Sequence, residues 1–132
     1  MTRATTPDPV EHISALGFAA TVDRLVKAID EAGMSLFARI DHAAGARDAG
    51  LTMPPTQVLI YGNAKGGTPI MLAAPHVALD LPLRVLVRED ASGRTVISFH
   101  PAAAMLRQAG VPDELVGRLD PAQHLLVEAI KA

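Results

Sequence analysis

Cysteine and tryptophan are both missing from this chain of 132 residues. Without a thiol there is no disulfide framework, no thiolate metal site and no cysteine nucleophile. Aromatic residues make up only 3% of the chain, so the core has to be aliphatic and base stacking has little to work with. Basic clusters are missing too. Lys and Arg number 12 against 14 Asp and Glu, a net charge of -2, and Arg84 and Arg88 stand apart. A phosphate-backbone binder needs clustered cations, so no nucleic-acid partner is expected. No apolar run reaches the length of a membrane span; the stretch from Pro69 to Pro75 is short and proline-bounded. The first residues lack the apolar centre of a signal peptide. No membrane partner is expected, and a cytoplasmic location is the default.

What the chain does have is aliphatic bulk: 49% of it is hydrophobic, enough for one core without staples. Its length fits a single domain over residues 10–132, preceded by a flexible arm over residues 1–9 that Pro7 and Pro9 mark out. A strand is expected over Val10–Leu16. Val22, Leu25, Val26 and Ile29 recur at helical spacing, with Gly33 as a left-handed stop. Met34–Ile40 alternates as a half-buried strand, with Met34, Leu36, Ala38 and Ile40 on one side. Asp41 is placed to cap a short helix over His42–Ala49 that ends at Gly50. A strand over Thr56–Tyr61 runs into the turn Gly62–Gly67. Thr68 and Pro69 then form a helix start, with Thr as N-cap, Pro at the first helical position and Pro75 as the stop. Leu83–Arg88 and Arg94–Phe99 read as a hairpin closed at Gly93. Helices follow over Pro101–Gln108, Pro112–Leu119 and Pro121–Ala132, the last capped by Asp120. This order predicts an α+β fold, a mainly antiparallel sheet with helices on one face.

Few residues carry chemistry. The glycine-rich turn at Asn63–Thr68 precedes a helix, an arrangement in which backbone N–H groups converge on an anion. Asn63 and Thr68 add neutral hydrogen-bonding groups and Lys65 a charge. The turn is not a triphosphate loop, because Lys65 precedes Gly66 and Gly67 instead of following them. A plain strand exit that caps a helix is the other reading. Asp41 beside His42 is either a carboxylate orienting a general base or a simple cap. Asp80, set in an apolar stretch before Pro82, is either a costly buried carboxylate or a turn residue. His12, His76, His100 and His124 show no metal spacing, and no serine sits in a nucleophile elbow. No metal or cofactor is expected.

Taken together, several segments resemble a bacterial family known as domain of unknown function 302. They are Thr21-Val22-x-Arg24-Leu25, Ile40-Asp41-His42-Ala43 and Gly50-Leu51-x-Met53-Pro54-Pro55-Thr56, then Tyr61-Gly62-Asn63-Ala64-Lys65, Gly67-Thr68-Pro69 and Leu79-Asp80-Leu81-Pro82-Leu83. The resemblance implies a strand, a helix, four strands and a helix, in a curved sheet shaped like the TATA-binding-protein folds. It also implies association as a homodimer. It brings no settled activity, and it directs attention to Asp41, His42, Asn63, Lys65, Thr68, Pro69 and Asp80. Two departures stand out: Ala64 replaces a usual Pro, and His100-Pro101 replaces an Asn/Asp-x-Pro type segment. The leading expectation is a dimeric binding module for a small polar or anionic ligand at Asn63–Thr68, with Asp41, His42, Lys65 and Asp80 as further ligand contacts. The alternative is an enzyme using His42 as a base, oriented by Asp41 or Asp80. A purely structural role for these turns is the third.

Overall fold

The computed structural model describes residues 8–132, so most of the expected N-terminal arm lies outside the described residues. Strand β1 (Val10–Ile13) is followed by helix α1 (Phe18–Glu31), strand β2 (Ser35–Asp41) and helix α2 (His42–Asp48). Strand β3 (Thr56–Gly62), helix α3 (Ala64–Ala73) and a 3-10 turn at Pro75–Leu79 come next. The hairpin β4 (Leu83–Glu89) and β5 (Thr95–Phe99) leads into α4 (Ala102–Gln108), α5 (Asp113–Val116) and α6 (Asp120–Ala129). The strands form one sheet in the order β1-β5-β4-β3-β2, and every pairing is antiparallel. The expected α+β class is the observed one.

Local chemistry explains most of the boundaries. Beyond α1, Gly33 N–H donates to Asp30 O and Met34 N–H to Ile29 O, a Schellman stop that needs the glycine at φ 76°. The same pair of bonds ends α2 at Gly50 and Leu51. The β4–β5 turn is locked by Asp90, whose Oδ1 accepts from the backbone N–H groups of Ser92 and Arg94. Those bonds, led by the one from Arg94, draw its carboxyl down to about 2.

Opposed residues in an antiparallel pair share a face. On one face Leu59, Tyr61, Val85, Val87, Ile97 and Phe99 are buried beneath Val22, Leu25 and Ile29 of α1 and Leu126 and Ile130 of α6. A second, smaller core joins Ile70 and Ala74 to Val77, Leu106, Val111 and Val116. Leu81 and Leu119 pack against both cores and tie them together.

Three expectations need correction. First, β2 is a largely exposed edge strand, and its register shifts between Leu36, opposite Tyr61, and Ala38, opposite Ile60. Phe37 is the extra residue of a bulge, so Leu36 joins the helix-covered face while Ala38 and Ile40 turn to the other. Second, α3 does not start at Thr68. It starts at Ala64, with Asn63 as N-cap, and Pro69 sits inside it. Third, α6 includes Asp120, and its N-cap Leu119 makes no side-chain bond.

Candidate functional site

Where the two cores meet, a cavity of about 600 Å³ opens beside the start of α3. Its apolar wall comes from every side of the seam. Met34 and Phe37 enter from β2 and its approach, Met71 from α3, Leu81 to Leu83 from the entry to β4, and Leu119 and Leu125 from around α6. The bulge at Phe37 is what points an aromatic ring this way. A Cβ placed on Gly62 would make only ordinary contacts, 4.0 Å from the Phe37 ring and 3.7 Å from Pro82 Cβ; it is the φ of 155° at this strand end that favours glycine.

The polar side chains of the lining are three: Asn63, Thr68 and Arg118. Asn63 Oδ1 accepts the Gly66 N–H at 2.6 Å and so starts the helix. Six residues beyond Asn63, Pro69 brings no N–H, so the Lys65 carbonyl loses its usual partner four residues along. Arg118 supplies the substitute. Its Nη2 donates to Lys65 O at 3.2 Å and its Nε to Gly66 O at 3.1 Å. The guanidinium is thereby fixed at the cavity wall with only part of its five-donor fork in use. Arg118 belongs to no ion pair among the described residues, and no other charged residue among them lines the cavity.

Of the residues singled out from sequence, Asn63 and Thr68 line this cavity, whereas Asp41, His42, Lys65 and Asp80 do not. Asp41 is occupied elsewhere. Its Oδ1 accepts the Ala44 N–H at 2.9 Å as the cap of α2, and its Oδ2 lies 3.5 Å from Gln57 Nε2. The same Gln57 accepts from Arg39 Nε at 2.7 Å, which makes a polar clasp across β2 and β3. His42 is the exposed first residue of α2, and Asp80 is the exposed C-cap of the 3-10 turn. Lys65 is exposed and contributes a backbone carbonyl to Arg118. No cluster of three or more metal-ligating side chains forms among the described residues.

Arg118 is the functional candidate that sequence reasoning passed over. Its signal is indirect: a proline inside a helix leaves a carbonyl to be satisfied, and a distant arginine is one donor able to do so. That signal is visible only once the helix is known to begin at Ala64, capped by Asn63. Replacing Asn63 by alanine removes the cap bond and is expected to lower stability by about 1 kcal/mol in urea denaturation. A change much smaller than this means that the cap is not what holds the turn.

These features define a small α+β domain with a largely apolar, solvent-open cavity whose one charged wall residue, among the described residues, is an arginine. The chain belongs to the family described as domain of unknown function DUF302, which matches residues 10–132. An uncharacterized conserved DUF302 protein from Bacillus stearothermophilus has the same fold, with a TM-score of 0.79 at 15% identity over 92% of this chain and 94% of that one. The fluoride-specific ion channel FluC 1 of Brucella suis biovar 1 (strain 1330) is 41% identical over 85 residues, 64% of this chain and 34% of that protein. FluC 1 of Brucella abortus biovar 1 (strain 9-941) matches 64% of this chain at 41% identity and 32% of its own length. The chain thus spans about a third of the length of the curated relatives it matches.

Proposed function

We propose that this domain is a non-catalytic binding module that takes a small molecule into the cavity beside Asn63–Thr68 and associates as a homodimer. The observation that carries the reading is the cavity itself: about 600 Å³, apolar over most of its wall, with the polar side chains of Asn63, Thr68 and Arg118 in its lining. Asn63 and Thr68 keep the role expected of them, and the charge comes from Arg118 in place of Lys65. The enzyme reading draws no support from the geometry, because neither His42 nor Asp80 lines the cavity and Asp41 is engaged as a cap.

Dimerisation fits the β2 edge. Leu36, Phe37 and Ile40 are exposed there at 37%, 56% and 41%, on a strand whose outer N–H and C=O groups have no neighbouring strand among the described residues. An apolar edge of this kind pairs readily with a second chain.

The Brucella relatives are named for a fluoride channel. Among the described residues no helix is long and apolar enough to cross a membrane. We therefore read the shared third of those proteins as a module carried beside the membrane-crossing part.

Thermal-shift measurements over a panel of small carboxylates, phosphates, nucleotides and amphiphiles test the binding reading, and sedimentation velocity tests the dimer. A panel that moves the melting temperature nowhere, at millimolar ligand, removes the first. A monomer throughout the micromolar range removes the second.

A further inference from the structure

The chemistry of the cavity wall narrows the ligand class, an inference that rests on the binding reading above. The apolar part is built mainly from methionine and leucine: Met34, Met71, Leu81, Leu83, Leu119 and Leu125. Such side chains are flexible and adapt to a conformationally free aliphatic chain, whereas a planar ring system calls for stacking partners, of which Phe37 alone is present. An all-polar ligand such as a sugar or a nucleotide would leave most of its hydrogen-bonding groups against this wall without partners, at a heavy desolvation cost. The body of the ligand is therefore apolar.

Its head is specified at Arg118. No carboxylate lines the cavity and none pairs with this guanidinium among the described residues. Arg118 is itself solvent-exposed, so water already compensates its charge. What the guanidinium adds is repulsion of a cationic head and a charge-assisted hydrogen bond to an anionic one that a neutral head makes more weakly. The two bonds from Arg118 to the carbonyls of Lys65 and Gly66 hold the planar group in place, so little side-chain entropy remains to be lost when an anion binds. Asn63 and Thr68 line the same cavity and offer neutral hydrogen-bond groups.

We infer that the cavity binds an aliphatic carboxylate, with its hydrocarbon chain among Met34, Met71, Leu119 and Leu125 and its acid group on Arg118. No covalent step is involved; the domain holds the molecule.

Isothermal titration of the full chain with decanoate, decan-1-ol and decylamine, the ionic probes kept below their micellar range and the alcohol below its solubility limit, is the test. The three probes share a chain and differ only in the head. Decanoate is expected to bind roughly tenfold or more tightly than decan-1-ol, the effect of one charge-assisted hydrogen bond, with decylamine weakest. In Arg118→Gln the preference for decanoate is expected to vanish while decan-1-ol affinity stays within about twofold. The comparison of heads in the unaltered chain stands even if this variant folds poorly. Equal binding of decanoate and decan-1-ol, tighter binding of decylamine, or a decanoate preference that survives Arg118→Gln overturns the carboxylate assignment and leaves cavity binding intact. If none of the three binds but a polar member of the panel does, the aliphatic class is wrong and the module reading survives. If nothing binds at all, both fall.

Discussion

Gly67→Leu is expected to abolish decanoate binding while leaving the melting temperature at or above that of the unaltered chain. Gly67 lies within α3 and lines the cavity. A Cβ built there meets Met71 Cε at 3.6 Å and Leu81 Cδ1 at 3.8 Å, ordinary contact distances to two other lining residues. The rest of a leucine side chain then extends into the volume the ligand would occupy. Its backbone is not in the left-handed region that favours glycine. Removing a glycine from a helix interior gains up to about 1 kcal/mol. Loss of binding and gain of stability are thus predicted together, which separates occlusion of the site from simple damage. The neighbouring Gly66→Ala is the control: its new Cβ would sit 3.1 Å from Asn63 Oδ1, the atom that caps the helix, so no such gain is expected. Titration calorimetry and a melting curve on each variant decide the matter. Retained decanoate affinity in a well-folded Gly67→Leu protein would place the ligand elsewhere.

Tyr61→Phe is expected to raise stability by about 1–3 kcal/mol, the cost of a buried hydroxyl with no partner. Tyr61 is fully buried in the main core, and its hydroxyl finds no hydrogen bond among the described residues. Burial alone pushes its ionisation well above the usual phenol range. The sign follows from linkage. The unfolded chain gives up the Tyr61 proton near its ordinary value of about 10, and the folded chain holds it far beyond that. Stability from this group is therefore intact below about pH 10 and is lost as pH rises beyond it. Urea denaturation at neutral pH and above pH 10 checks both halves. The phenylalanine variant should be the more stable at neutral pH, and its advantage should widen in alkali. A less stable variant would mean that the hydroxyl has a bonding partner after all.

Much of the fold was legible because its determinants are local. The α1 stripe, the stops at Gly33 and Gly50, the Asp41 cap and the Gly93 turn each depend on residues within a few positions of one another. What escaped depends on distant parts of the chain. Thr68-Pro69 offered a strong helix start, yet Asn63 caps five residues earlier and the helix runs through Gly66, Gly67 and Pro69 in spite of their low propensity. Tertiary contacts supply the difference: Leu119 packs close over Gly66, where a Cβ would stand 3.5 Å from its Cδ2, and Arg118 satisfies the carbonyls of Lys65 and Gly66. The bulge at Phe37 escaped for a similar reason, since strand alternation cannot reveal where one residue is left unpaired against β3. In the site itself, Asn63 and Thr68 were visible as turn chemistry, whereas Arg118 lies some fifty residues away and no spacing rule links it to them.

The clasp between Arg118 and the start of α3 also bears on the motions of the domain. A helix whose carbonyl is satisfied by a side chain from the α5–α6 connection cannot fray alone, because opening it strands that arginine too. The two segments should therefore open as one cooperative unit, with matched hydrogen-exchange rates despite their separation in sequence. A bound molecule gripping Arg118 would slow exchange in both at once.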